Sequence, residues 1–123
     1  MSQKKLTREA LRKATLGTKR TVKKEIVKLN DLEFEIRQPT ILERANLRKK
    51  CVTIEDGREV INVFDFLVWS VIENTYVPET DERVFDAADY DTLMQNPSGG
   101  FMDKFGEIAS NLMNVDFDAK KNS

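Results

Sequence analysis

The spacing of hydrophobic residues changes several times along the chain, and each change predicts a different element. Leu32, Phe34 and Ile36 alternate with charged residues, which is the period of a strand with one buried face. Together with the apolar residues that precede the Asn30–Asp31 pair, this alternation predicts a β-hairpin within residues 22–37. The charged residues of the second strand, which we expect to face solvent, are Glu33, Glu35 and Arg37.

Helical spacing begins after Pro39. Thr40 and Glu43 have the spacing of a capping box, in which each side chain accepts a hydrogen bond from the backbone N–H of the other residue. They predict a helix that starts there and runs to about residue 52. Its expected buried residues are Ile41, Leu42, Ala45 and Cys51.

The densest apolar segment, residues 60–76, predicts a central helix that is packed on most of its sides. Its narrow polar stripe consists of Asn62, Asp65 and Glu73. We expect the helix to end before Pro78, because the residue that precedes a proline disfavours the helical conformation.

Two further helices are predicted between residues 86 and 113. The first is short and is interrupted by the Pro97–Gly100 segment. In the second, apolar residues at steps of four, three and four form an expected core face. The residues of that face are Phe101, Phe105, Ile108 and Leu112.

These elements predict an α+β fold that is mainly α, with an N-terminal β-hairpin followed by a compact bundle of about four helices. A basic arm of residues 1–21, with a short helix capped by Thr7, precedes a single helix-rich domain of residues 22–114. Residues 115–123 are mostly polar, and we expect a disordered tail there.

The composition argues against several classes of function. The chain of 123 residues has no His and one Cys, so it lacks the commonest general base and cannot form an intrachain disulfide or a zinc cluster. Cys51 follows two lysines, but no histidine can activate it, and we expect a half-buried structural residue. We therefore expect a protein that is not an enzyme, with no catalytic residues, cofactor or metal.

The hydrophobic fraction of 40% is enough for one domain to bury a core. No apolar segment approaches the ~20 residues of a membrane-spanning helix, and the first residues lack the apolar stretch of a signal peptide. We expect a soluble cytoplasmic protein that does not bind membranes.

Charge is distributed unevenly despite a net charge of −1. Residues 1–30 hold ten Lys or Arg and two Asp or Glu, a net charge of +8, whereas residues 54–123 hold five and fifteen, a net charge of −10. The arm can lie on its own acidic domain, join copies of the chain into a homo-oligomer, or neutralise phosphates. Nucleic acid is an unfavoured partner, because the arm has no aromatic residue for base stacking and the body repels a polyanion. The basic residues of the arm are Lys4, Lys5, Arg8, Arg12, Lys13, Lys19 and Arg20.

The order of the elements, with the residues at their junctions, resembles the tail assembly chaperones of long-tailed bacteriophages and prophages. The junctions are Pro39–Thr40 and Glu43–Arg44 after the hairpin, Arg83–Phe85 after the central helix, and Leu93–Gly100 before the last helix. The resemblance covers residues 22–114 and leaves out the basic arm. It implies a non-enzymatic protein of the bacterial host cytoplasm that holds the tape-measure protein, promotes tail-tube assembly and is absent from the mature virion.

A chaperone that holds other proteins needs adaptable apolar contacts, and the unbranched side chain of methionine supplies them. With the core face of the last helix assigned as above, Met102, Ala109 and Met113 are left on its flank. We expect this flank, with Tyr90 and Met94 nearby, to contact the tape-measure or tail-tube protein. The alternative is that all five residues complete the core.

Two other functions stay open. One is a small nucleic-acid-binding protein that uses the basic arm, and the other is a structural tail component that stays in the particle. Salt distinguishes the first of them from a chaperone, because phosphate contacts weaken steeply as the salt concentration rises, whereas apolar contacts persist.

Overall fold

Residues 7–16 and 22–121 are described by a computed structural model. They contain five α-helices and two small antiparallel sheets, which confirms the mixed, mainly helical class predicted from the sequence. In chain order the elements are α1 (Arg8–Leu16), β1 (Lys24–Leu29), β2 (Leu32–Arg37), α2 (Ile41–Cys51), β3 (Val52–Glu55), β4 (Arg58–Ile61), α3 (Val63–Asn74), β5 (Thr75–Tyr76), a 3₁₀ turn (Ala87–Asp89), α4 (Tyr90–Met94) and α5 (Phe101–Lys121). None of these helices is both long and apolar enough to cross a membrane.

The larger sheet has the strand order β1-β2-β5. β1 and β2 are antiparallel and are joined by Asn30 and Asp31, whose φ angles of 53° and 64° match the two left-handed positions of a tight hairpin turn. β5 pairs with the other edge of β2, where Ile36 lies opposite Thr75. β2 is therefore the central strand, and Val27 and Ile36 are buried in the core.

Glu35 of β2 has no exposed surface (0%), although the alternation predicted a solvent-facing side chain. That prediction was wrong because β2 gains a second neighbour, β5, with Glu35 opposite Tyr76, and because the loop after β5 contacts the carboxylate. Glu35 accepts a hydrogen bond from the Glu79 backbone N–H at 3.1 Å and forms an ion pair with Arg37. Arg37 also lies over the Tyr76 ring, 4.0 Å from its centroid, so a charged network holds the loop against the sheet.

The smaller sheet is a second hairpin formed by β3 and β4, and β4 includes residues that the sequence analysis assigned to the start of the central helix. Asp56 and Gly57 make its two-residue turn, with φ angles of 51° and 75°. α3 begins at Val63 because Asn62 caps it, accepting hydrogen bonds from the backbone N–H of Phe64 at 3.0 Å and of the next residue at 3.1 Å. The first turn of α3 therefore extends beyond the core, and Val63 and Phe64 are exposed.

The core is formed by the larger sheet, α3, α4 and α5. Val68 of α3 and Phe105 of α5 are almost fully buried, and Phe105 also contacts Phe34 of β2, with ring centroids 5.3 Å apart. Gly106 brings α5 close to α3, because a Cβ at this position would collide with Leu67 Cδ1. The sheet and the two longest described helices thus share one set of apolar contacts.

The buried face of α5 differs from the predicted one. Its residues are Met102, Phe105, Ala109 and Leu112. Phe101 and Ile108, which were predicted to be central, are half-buried at its border. The face is rotated by about 50° toward Gly106, where the missing side chain allows α3 to approach.

Both ends of the described chain are helical. α1 starts where Thr7 Oγ1 accepts a hydrogen bond from the Ala10 backbone N–H at 3.1 Å, at the predicted cap, and none of its residues is buried. α5 continues to Lys121. No Gly or Pro follows Gly106, and the local sequence therefore contains no strong signal that ends the helix.

α2 starts at the predicted capping box but buries different residues. The Glu43 backbone N–H donates to Thr40 Oγ1 at 3.1 Å, and the Thr40 N–H donates to Glu43 Oε1 at 2.8 Å. The buried residues are Leu47 and Cys51, in a helix that packs against α3. The residues that were predicted to be buried but are exposed are Ile41, Leu42 and Ala45. At 100° per residue Leu42 and Ala45 lie on the side of α2 opposite Leu47 and Cys51, and Ile41 lies in the first turn, before the buried stripe begins. Packing along a single stripe therefore leaves them in solvent.

Candidate functional site

The titratable residues at the contacts of α3 with α2 and α4 are held in structural interactions. Burial, with the carboxylates of Asp65 and Glu73, raises the pKa of the Cys51 thiol to about 11. The thiol is therefore protonated at neutral pH, and with 1% exposure it serves as a packing group. Within the described residues, no three His, Cys, Asp or Glu side chains are grouped to hold a metal ion.

Trp69 of α3 lies between side chains from two other helices. The Tyr90 ring of α4 stacks on it with centroids 5.2 Å apart, and Lys50 Nζ of α2 lies 4.4 Å from its centroid. The Tyr90 hydroxyl donates to Asp65 Oδ1, and this bond, with burial, raises the pKa of Tyr90 to about 12. Lys50 also pairs with Glu73 at 3.4 Å, so these contacts fasten α2 and α4 to α3.

A cleft between α3, α4 and the start of α5 is apolar and partly open. We call it the methionine groove, and its lining residues include Phe64, Leu67, Met94, Pro97, Met102 and Asp103. Its volume is about 170 Å³. Phe64 is 69% exposed and Met94 is 40% exposed, whereas Met102 is 4% exposed. The groove thus combines accessible walls, one aromatic and one thioether, with a buried methionine.

Local sequence signals position the walls of the methionine groove. Asn62 starts α3 early enough to leave Phe64 outside the core. On the opposite side, α4 stops after Met94, where Asn96 Nδ2 donates to the Thr92 carbonyl at 3.2 Å. The chain then turns through Gly99, whose φ is 84° and whose backbone N–H donates to the Asp103 carboxylate in the first turn of α5.

A second cleft lies between α2, β4, α3 and α5. We call it the arginine groove, and it is lined by Arg44, Arg48, Ile61, Phe66, Ser110 and Met113. Its volume is about 250 Å³. Arg48 forms an ion pair with Glu59 at 3.3 Å, whereas Arg44 has no ion pair within the described part of the chain. The cleft therefore places two guanidinium groups beside a mainly apolar floor.

The structure separates the five residues predicted to contact a partner. Met94 and Met102 line the methionine groove, and Met113 lines the arginine groove. Ala109 has no exposed surface, and Tyr90 is half-buried against Trp69. The prediction that Met102 and Ala109 lie on an exposed flank was wrong, because the face of α5 that packs in the core is the one that carries them.

The basic arm is described only in part. Arg8, Arg12 and Lys13 are exposed on α1. The other predicted residues of the arm, Lys4, Lys5, Lys19 and Arg20, lie outside the described residues.

Sequence analysis missed Phe64 and Ile61 as accessible groove residues, because both were assigned to a buried central helix. One available signal was Asn62, since an Asn directly before an apolar helical segment is a typical N-cap. A second was the Asp56–Gly57 pair between β-branched residues, which is typical of a hairpin.

Comparison with known proteins gives no identification. No protein-family model, no curated protein and no solved structure matches the chain. A function can therefore be proposed only from the chain's own grooves and exposed apolar side chains.

Proposed function

We propose that this chain is a tail assembly chaperone of a phage or prophage, a non-enzymatic protein that holds the tape-measure protein and promotes assembly of the tail tube. The observation that carries the proposal is the exposure of large apolar side chains around the first turn of α3. Val63 and Phe64 are 71% and 69% exposed, and Met94, 40% exposed, lines the same groove as Phe64. Contiguous apolar surface of this kind on a small domain is typical of a protein-interaction site.

The methionine groove suits reversible holding of an apolar segment. Removal of apolar surface from water contributes about 25 cal/mol per Å², so a contact of a few hundred Å² contributes several kcal/mol. Much of this is offset by the loss of translational and rotational freedom on association, and the complex can therefore dissociate. The unbranched side chain of Met94, which is 40% exposed, adapts to segments of different shape.

The order of the elements supports the proposal through the resemblance to tail assembly chaperones. β1–β2, the capped helix α2, the apolar helix α3 and the final helix α5 follow one another in the order that the resemblance requires. Under this proposal the protein acts in the cytoplasm of the bacterial host and leaves the tail before the virion is complete.

Co-expression with the tape-measure and tail-tube proteins of the same phage or prophage tests the function. The tagged chain is captured and washed at about 0.1 M and then about 1 M salt. We expect the tape-measure protein to be retained at both salt concentrations, because apolar contacts persist in high salt. Phe64→Asp and Met94→Asp should each reduce the retained tape-measure protein by about tenfold or more, since each places a carboxylate in the groove.

Leu32→Asp is the matched control. Leu32 is 65% exposed, close to the 69% of Phe64, but it does not line the methionine groove, and its substitution should leave retention unchanged. Absence of the tape-measure protein from the wild-type capture at both salt concentrations would contradict the proposal. Capture of nucleic acid alone, lost at high salt, would assign the function to the basic arm instead.

A further inference from the structure

The arginine groove is positively charged along one rim. Arg44 and Arg48 are four residues apart on α2, so their side chains lie side by side, one helical turn apart. Like charges at this spacing repel each other. Arg48 pairs with Glu59, but the two side chains are 55% and 59% exposed, so this pair contributes little energy and opens readily. Arg44 forms no ion pair with any described residue, and the rim can therefore accept a carboxylate.

The floor of the groove continues onto the β3–β4 hairpin. Ile61 lines the groove, and Glu59, on the same face of β4, pairs with Arg48 on the rim. Ile54 lies directly opposite Glu59 in the ladder and therefore shares this face, where it is 67% exposed. The apolar surface thus extends from Met113 through Ile61 to Ile54.

The β3–β4 hairpin is largely exposed to solvent. Apart from Val52, all of its strand residues are exposed, and a two-stranded hairpin is only marginally stable in water. A segment that lies along the groove would cover the face that carries Ile54 and Ile61. The same segment would then make apolar contacts with the β3–β4 hairpin and ion pairs with the arginines of α2.

We propose that the arginine groove binds an amphipathic helix of a partner protein, with an apolar stripe bordered by Asp or Glu. Carboxylates four residues apart on such a helix are separated by about 6 Å along its axis, which matches the spacing of Arg44 and Arg48. Guanidinium groups bind carboxylates through two parallel hydrogen bonds and hold the helix in register. The inference rests on the proposed binding function, but it does not depend on the identity of the partner.

Two labelled helical peptides of about 18 residues test the proposal. They share one leucine stripe and differ only in carrying Glu or Lys beside it. Fluorescence anisotropy should show that the Glu peptide binds the full chain about tenfold more tightly than the Lys peptide. In methyl NMR spectra, the Glu peptide should shift the Ile61 and Met113 resonances and leave those of the exposed residues Leu32 and Leu42, which do not line the groove, in place.

Charge reversal provides the decisive variant. Arg44→Glu combined with Arg48→Glu should invert the preference between the peptides, and Arg44→Gln combined with Arg48→Gln should abolish it. The matched control combines Lys49→Glu with Arg58→Glu, which makes the same change in net charge at exposed positions that do not line the groove. This control should keep the preference for the Glu peptide, and circular dichroism should show the native helix content in every variant.

Equal affinity of the wild type for both peptides would overturn the proposal, as would the same loss in the control variant. Tighter binding of a single-stranded oligonucleotide than of the Glu peptide would overturn it in favour of a phosphate site. A different outcome would contradict the proposed chaperone function alone. If the tape-measure protein is not captured but the Glu peptide binds as described, the groove assignment holds and the chaperone role is wrong.

Discussion

Glu35 connects the central strand of the larger sheet to the loop after Pro78. Its carboxylate is fully buried, with Arg37 and Lys24 as cationic partners, the latter at 3.8 Å. It also accepts the backbone N–H of Glu79, which has a φ of 62°. This left-handed conformation is unfavourable for a residue other than glycine, so the hydrogen bond to Glu35 offsets a local backbone cost.

Replacing Glu35 with Gln should lower the free energy of unfolding at pH 7 by about 3 kcal/mol, because the variant leaves Arg37 without its buried counter-ion. Burial alone would raise the pKa of Glu35, but the hydrogen bonds from Arg37 and Glu79 hold it below the ordinary value of 4.5. The stabilisation is therefore complete above pH 4.5 and is lost as the pH falls through the lower, folded-state pKa.

Urea unfolding at pH 7 and at about pH 3 measures this effect. The difference between the wild type and Glu35→Gln should be large at pH 7 and smaller in acid. Glu33→Gln, an exposed position on the same strand, should change stability by less than about 0.5 kcal/mol at either pH. Equal losses for the two variants at pH 7 would show that the buried ion pair is not the cause.

At the scale of elements, the two hairpins share one turn geometry but differ in the residues that adopt it. Asn30–Asp31 and Asp56–Gly57 both have positive φ angles at both turn positions. Glycine at the second position adopts this conformation without steric cost, whereas Asp adopts it with strain. The β1–β2 turn therefore contains backbone strain at Asp31 that a glycine would relieve, whereas the β3–β4 turn already has glycine at that position.

Asp31→Gly should stabilise the protein by about 0.5–1 kcal/mol and raise Tm by a few degrees, because it removes the left-handed strain. The reverse change, Gly57→Asp, should destabilise the β3–β4 hairpin by a similar amount. Thermal unfolding followed by circular dichroism measures both. A lower Tm for Asp31→Gly would show that the Asp31 side chain stabilises the turn by more than its backbone strain costs.

Elements with a distinct start signal were predictable, but the side of a helix that packs was not. The Thr40–Glu43 capping box located the start of α2, and the alternation in β2 located a strand. In α5, two stripes that both contain Phe105 and Leu112 satisfy the helical period equally well. The close approach of α3 to α5 at Gly106 is a tertiary contact, and it determines which of the two stripes is buried.

In the candidate site, too, the sequence does not show which apolar side chains are buried. Of the methionines singled out from the sequence, Met94 and Met102 line one groove and Met113 lines the other. The accessible wall at Phe64 was missed, because hydrophobicity alone cannot distinguish a buried aromatic residue from one in a helical turn that extends beyond the core.

At the scale of the whole molecule, Cys51 should report the opening of α2 from α3. With a pKa of about 11 and 1% exposure, its thiol should react with a disulfide reagent at pH 8 about a hundredfold or more slowly than in urea-unfolded protein. If global unfolding exposes the thiol, Glu35→Gln should raise the reaction rate by the same factor by which it raises the equilibrium constant of unfolding.

The reaction is followed by the absorbance of the thiol that the reagent releases when Cys51 attacks it. Urea-unfolded protein gives the reference rate. A native rate equal to the unfolded rate would show that α2 does not protect Cys51. A slow native rate that Glu35→Gln leaves unchanged would mean that α2 opens locally, without unfolding of the sheet.

The contacts around Trp69 have an optical consequence. It is the only tryptophan in the chain, and it lies between Lys50 of α2 and Tyr90 of α4. α2 supplies the rim of the arginine groove, and α4 supplies one wall of the methionine groove. Because indole emission responds to nearby charge and water, movement of either helix should change the fluorescence of this one residue. The protein thus contains an intrinsic fluorophore that contacts one helix from each groove, and a shift of either helix on binding should be detectable without a label.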